Sequence, residues 1–267
     1  MRPRNGSSGL ACGWRFICGL SLGFVIGVAA GLLGVGGGEF RLPLLICLLG
    51  FPVPVAASSN LLVGILTAGV GLAGRLTIGI SIPAFGVLVS MTAGSIAGAL
   101  LGASLTRKIK EKYLRWGVGI ILVLVGLKFI HEALGGEIHG GLVVAHLLDL
   151  GLAAVLGLLI GIICGLLGVA GGEYRIPALV YFFGMSLKEA GTFSLAVSLP
   201  TILAGAARHR EMGHLGGAVL RISLALGISS AVGACLGASL LPRMHESLLR
   251  FLLGIVLLLA TIRVVKP

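Results

Sequence analysis

Gly31-Leu-Leu-Gly-Val-Gly-Gly-Gly-Glu-Phe-Arg-Leu-Pro-Leu-Leu45 recurs as Gly165-Leu-Leu-Gly-Val-Ala-Gly-Gly-Glu-Tyr-Arg-Ile-Pro-Ala-Leu179, with 11 of 15 positions identical at an offset of 134. The match resumes where Gly98-Ala-Leu-Leu-Gly-Ala-Ser-Leu105 aligns with Gly233-Ala-Cys-Leu-Gly-Ala-Ser-Leu240, now at an offset of 135. Glu111, Leu114 and Arg115 then fall on Glu246, Leu249 and Arg250. A duplication this extended makes each half one folding unit used twice.

The surroundings of the motif set the class. Of 267 residues, 57% are hydrophobic and 11% charged, against about 25% charged in a soluble domain. Charge-free runs such as Phe16–Gly38, Leu76–Thr106 and Leu150–Gly172 are long enough to cross a ~30 Å hydrocarbon layer as helices. Each half divides into about five apolar segments: 14–36, 40–51, 54–74, 81–105 and 113–131, then 142–170, 174–185, 187–207, 217–240 and 247–264. The expectation is an all-α polytopic membrane protein. Residues 1–13 form a cytoplasmic tail, 14–131 the first repeat, 132–141 a loop and 142–267 the second repeat. The basic start, Met1-Arg-Pro-Arg4, with the apolar run from Phe16 resembles a signal peptide but passes directly into the first span, and is read as retained. Segments 40–51 and 174–185 are too short to cross alone, which leaves spanning and re-entry both open. Either way each half crosses an odd number of times, so the halves are inverted.

Charge tests that inversion. With the N-terminus in the cytoplasm, Arg2, Arg4, Arg15, Arg107, Lys108, Lys110, Lys112, Arg115, Arg208, Arg210, Arg221, Arg263 and Lys266 lie inside. Arg75, Lys128, Lys188, Arg243 and Arg250 lie outside, so the ratio of 13 to 5 obeys the positive-inside rule. The net charge of +11 therefore reflects topology and anionic headgroups rather than nucleic acid. The five cysteines, Cys12, Cys18, Cys47, Cys164 and Cys235, have neither metal nor redox spacing. His131, His139, His209, His214 and His245 read as interfacial, and His146 and Asp149 share a helix face. No P-loop, zinc spacing or nucleophile elbow is present in the sequence, so neither an enzyme nor a cofactor or metal is expected.

Glycine-interrupted short segments at matching places of two inverted halves point to a transporter binding site. Gly36, Gly37 and Gly38, with Gly171 and Gly172 in the second copy, can unwind a helix and free backbone N–H groups. The helix restarting beyond them turns its positive end to the gap. Pro43 and Pro177 mark the helix break. Arg41 and Arg175 add fork-shaped donors suited to oxyanions, and Glu39 and Glu173 are candidates for proton coupling. A structural Glu–Arg pair that neutralises itself or caps the broken helix is the competing reading of these four. Ser58, Ser59 and Asn60, aligned with Thr192, Phe193 and Ser194, offer further donors, unless the hydroxyls bond back to their own helix. Gly98/Gly102 and Gly233/Gly237, four apart, read as close helix packing.

The paired motif, with Gly191-Thr-Phe-Ser-Leu195 and the small-residue stretches 98–105 and 233–240, resembles the TauE/SafE sulfite-exporter family of membrane permeases. The resemblance implies a secondary transporter of sulfite or a related sulfur-containing organic anion in a bacterial or archaeal plasma membrane. Gly36–Gly38, Glu39, Arg41 and Pro43, with Gly171, Gly172, Glu173, Arg175 and Pro177, occupy the family's motif positions. The expected partners are a small anion and membrane lipid, without nucleic acid. Both termini are expected in the cytoplasm, and a homo-oligomer stays open. The competing functional readings are a membrane-embedded sensor or assembly subunit, and a transporter of a cation or neutral solute.

Overall fold

The computed structural model describes residues 8–105, 111–135, 146–167, 169–211 and 217–265. The basic loop 106–110, most of the inter-repeat loop, and the side chains of Lys112, Arg115, Arg208 and Arg210 lie outside the described residues, as do Arg2, Arg4 and Lys266. The described chain is helical throughout: α1 (Ser8–Leu33), α2 (Gly38–Pro43) running into a π-helical turn (Leu44–Leu48), α3 (Val53–Thr77), α4 (Phe85–Leu105) and α5 (Glu111–Ala133) in the first half. The second half follows with α6 (His146–Leu167), α7 (Gly172–Phe183), α8 (Leu187–Glu211), α9 (Gly217–Leu240), a 3-10 turn (Leu241–Arg243) and α10 (Glu246–Val265). Among the described residues, five stretches are long and apolar enough to cross a membrane: Phe16–Leu33, Val55–Thr77, Phe85–Gly102, Leu187–Ala207 and Val219–Arg243. The first helix begins at Ser8, inside the segment expected to be a tail; Gly9-Leu-Ala-Cys-Gly carries no charge that would stop it.

Large apolar side chains such as Ile17, Val25, Leu124 and Ile228 face outward, while Glu39, Arg41, Asn60, Arg75, Glu173 and Arg175 are buried. Lipid accepts the first group; the second must find partners inside.

The short segments fold back. Gly37 lies against Ile26 and Ala30, and Gly19 against Leu44 and Leu49, so α2 and its π turn return alongside α1. In the second half Gly171 lies against Cys164 and Ile160, and Ala178 packs with both. Re-entry is thus the geometry adopted. The turn itself is built by glycine: Gly34, Gly36 and Gly37 have φ of 85°, 77° and 67°, and Gly171 has 76°. A side chain there would be strained. The prolines do not make the break. Pro177 lies inside α7, which continues to Phe183, and Pro43 ends α2 only to pass into the π turn. One missing N–H six residues into a helix costs a single hydrogen bond, whereas the glycines upstream reverse the chain.

Across the halves, α1 pairs with α9 and α4 with α6, and α3 pairs with α8 and α5 with α10. Each pairing maps onto itself or onto another when the halves are exchanged. Gly71 meets Leu195, Gly69 meets Leu199, Gly64 meets Ile202 and Gly205 meets Leu61. The equivalent helices α3 and α8 therefore run antiparallel, in keeping with inverted halves. Small residues set the closest approaches. A Cβ on Gly27 or Gly31 would fall on the carbonyls of Ser230 or Ala234, and one on Gly98 or Gly102 on those of Leu158 or Ile162. Gly233 and Gly237 abut Phe24 and Val28 in the same way, so packing is their role.

Two basic residues expected in outer loops are interior. Arg75 is wholly buried and Arg250 is 5% exposed. Arg250 Nη1 donates to Glu132 Oε2 at 2.6 Å and Nη2 to Glu246 Oε1 at 2.8 Å. Arg75 turns back from the last turn of α3 onto the carbonyl end of α1. A helix end leaves carbonyls unsatisfied, and an interior guanidinium is the neighbour able to satisfy several at once.

Candidate substrate site between the glycine turns

The two glycine turns meet. Gly36 lies against Ala170, Gly34 against Gly191, and a Cβ on Gly172 would stand 2.6 Å from the Val35 carbonyl oxygen. This contact brings the first turns of α2 and α7 together and faces their acidic residues. Tyr174 donates its hydroxyl to Glu39 Oε1 at 2.9 Å. The Glu173 carboxyl is buried beside that of Glu39. Two carboxylates sharing one buried site repel unless a proton is held between them.

Each arginine of the motif sits beside its own turn, in unequal company. Arg41 Nε donates to Asn60 Oδ1 at 3.2 Å and Nη2 to the Gly36 carbonyl at 2.7 Å. Its Nη1 donates to Thr67 Oγ1 at 3.1 Å and to Ser230 Oγ at 3.2 Å. Arg175 Nη1 donates to Ser198 Oγ at 2.7 Å and to the Ser194 carbonyl at 3.3 Å. Among the described residues, its buried Nε and Nη2 have no hydrogen-bond partner, and neither has the Ser194 hydroxyl.

The other sequence candidates divide between this centre and its frame. Gly37 and Gly38 form the turn, with Gly38 packed on the Asn60 amide. Ser58 and Ser59 are buried one turn along α3. Thr192 belongs elsewhere: it accepts from Arg75 Nη1 at 3.1 Å and donates to the Lys188 carbonyl at 3.0 Å. Arg75 also donates to Gly31 O at 2.9 Å, Leu32 O at 2.8 Å and Lys188 O at 3.0 Å. It thereby ties the end of α1 to the start of α8. Tyr174, Thr67, Ser230, Arg75 and the buried Cys164 beside Gly171 were not among the residues that sequence reasoning chose. Thr67 and Ser230 had a signal, because both have hydroxyl counterparts at the repeat offset, Thr201 and Ser95.

A helical membrane bundle whose two halves meet through broken helices has the architecture of a transporter. The sequence model described as "Sulfite exporter TauE/SafE" matches residues 3–129 and 146–266, and the chain belongs to that family of membrane transporters. It is 24% identical over 253 residues to a probable membrane transporter protein, YjnA, of Bacillus subtilis, covering 91% of this chain and 97% of that protein. A second Bacillus subtilis protein, the probable membrane transporter protein YunE, is 28% identical over 116 residues, 43% of this chain and 42% of its own length. No solved structure matches the chain.

Proposed function

We propose that this protein carries sulfite or a related sulfur-containing organic anion across the plasma membrane by alternating access, with a proton as the coupling ion. Its termini both lie in the cytoplasm, where the basic tail and the basic loop 106–115 satisfy the charge rule. The observation that carries the reading is the meeting of the two glycine turns, which places the buried Glu39 and Glu173 in one centre with the buried Arg175. A proton taken up or released by the carboxyl pair couples to the anion, for which Arg175 sets a positive field. Gaining or losing that proton changes the charge of the centre by one unit at membrane depth, where charge is costly. Rocking of the two halves then exposes the centre to one side at a time.

The family's name supplies sulfite as the first substrate to test; the open Arg175 guanidinium supplies the sign of its charge. Protein reconstituted in liposomes should move sulfite or a short sulfonate, faster with a pH gradient than without one. Glu39→Gln and Glu173→Gln should each flatten the response to the gradient. A wild-type protein that moves neither anion in either direction, or that moves a cation instead, overturns the reading.

A further inference from the structure

The two motif arginines are equivalents by sequence and opposites in how their donors are used. On Arg41 the Nε and Nη2 groups are taken by Asn60 Oδ1 and by the Gly36 carbonyl. These two nitrogens form the side edge of the guanidinium, whose parallel N–H bonds grip two oxygens of one carboxylate or similar oxyanion. In the first half, two protein oxygens fill that edge. In the second half the same edge is bare: Arg175 Nε and Nη2 are buried with no partner.

The sequence explains the difference. Position 60 is asparagine, and its repeat equivalent is Ser194, whose side chain is one bond shorter and carries no amide oxygen to reach Nε. The Ser194 hydroxyl is itself buried without a partner, although its backbone carbonyl accepts from Arg175 Nη1. Gly64, which lies beside Arg41 Nη2 in the first half, is replaced by Ser198, which draws Arg175 Nη1 to itself at 2.7 Å. Thr201, equivalent to Thr67, makes the same bond to its own helix, at the Val197 carbonyl 2.8 Å away, but Arg175 Nη1 goes to Ser198 and the Ser194 carbonyl instead of to it. The register position of Ser230 is held by Ser95, whose hydroxyl is also buried without a partner. The three side chains that close Arg41 thus have equivalents that are shortened, bypassed or disengaged around Arg175.

We infer that Arg175 alone is the anion-binding arginine. It takes two oxygens of a single carboxylate, sulfonate or sulfite-type oxyanion on its Nε–Nη2 edge, with the Ser194 hydroxyl as a third donor. Arg41 is a pin that holds α2 to α3 and α9. The inference rests on the transport reading above and narrows it to one anion per chain and to ligands that present paired oxygens. A halide offers one acceptor centre, so the two parallel N–H bonds converge on it at poorer angles than on the paired oxygens of an oxyanion.

Ligand titration of the full chain in nanodiscs tests this, using sulfite, methanesulfonate, acetate and chloride as probes with calorimetric stoichiometry. Wild type should bind one oxyanion per chain, with chloride at least on the order of tenfold weaker. Ser194→Asn, which rebuilds the plug found at Arg41, and Arg175→Lys should each weaken oxyanion binding by about tenfold or more. Asn60→Ser and Arg41→Lys should leave affinity within about threefold of wild type while lowering the temperature at which the protein leaves monodisperse elution. Binding that Ser194→Asn and Arg175→Lys leave intact overturns the assignment and spares the transport reading. Equal losses at Arg41 and Arg175 overturn it in favour of a shared site. A wild type that binds none of the oxyanions overturns both.

Discussion

Replacing Arg75 by methionine tests the idea that the broken helices are held by cross-half hydrogen bonds. Arg75 is wholly buried and donates to Gly31 O, Leu32 O, Lys188 O and Thr192 Oγ1 at 2.8–3.1 Å. Methionine fills a similar volume and donates nothing. Lys188 O keeps the Thr192 hydroxyl at 3.0 Å, so the acceptors stranded are those of Gly31 and Leu32 at the end of α1. Two buried acceptors without partners cost about 1–3 kcal/mol each. Removing a buried guanidinium returns part of the penalty of burying its charge, which leaves an expected net loss of about 2–3 kcal/mol. For a chain of this size that lowers the midpoint of unfolding by about 5–10 °C. Arg75→Lys should recover little, since one ammonium cannot span acceptors on α1 and α8 together. The assay is thermal loss of monodisperse elution in detergent, run beside liposome flux. If Arg75→Met melts within about one degree of wild type and transports normally, the claim that Arg75 binds the halves together is wrong.

Glycine packing gives a contrast within one helix pair. Gly98→Ala places a methyl on the Leu158 carbonyl and forces α4 from α6, an expected loss of about 1–3 kcal/mol. Gly151→Ala, on α6 with nothing within 4 Å of the new methyl, should be neutral or gain up to about 1 kcal/mol from helix propensity; equal effects in thermal unfolding refute the packing role. The Glu132–Arg250 pair at 2.6 Å, with Tyr181 donating to Glu132 at 3.2 Å, joins α5, α7 and α10. Glu132→Gln should cost about 2–3 kcal/mol, below the usual loss for a buried pair, because Arg250 keeps Glu246 at 2.8 Å. A double-mutant cycle with Arg250→Met that gives no coupling energy refutes the pairing.

The repeat made the most legible part of the fold legible. Two copies of one glycine run locate the breaks, and the glycines spaced four apart on α4 and α9 announce close helix contacts, because only a missing side chain permits them. The acidic pair was visible as residues and invisible as a pair: nothing in Gly-Gly-Glu tells which way each carboxyl turns until the turns are known to touch. Arg75 and Arg250 were misread for a definite reason. Charge counting treats a basic residue at the end of an apolar segment as solvated. A side chain as long as arginine can instead reach back along its helix to a neighbour's carbonyls or to a carboxylate. Arg75 also has His209 at its repeat offset, so the duplication gave no second copy to flag it. Thr67 shows the remaining ambiguity. It bonds to its own helix at the Val63 carbonyl, 2.8 Å away, and accepts from Arg41 as well, so back-bonding and site-building are not alternatives there.

Duplication explains the frame, and departure from duplication explains the site. Two copies of one unit supply matching broken helices, and exact equivalence between them would give two identical arginine sockets. In a bundle interior an open guanidinium edge is costly. Protein oxygens remove that cost at Arg41 while the fold of both copies is kept, and the proposed assignment leaves the other edge for a ligand. The exchange needs few changes, chiefly asparagine for serine at 60 and 194 and glycine for serine at 64 and 198, because both arginines stay on equivalent turns. The carboxyl pair sits where α2 and α7 come together, so it belongs to both halves at once, with the Arg175 guanidinium as its cationic neighbour. On the proposed reading, a centre of that kind couples one proton to one anion through charge, with no need for the two to touch.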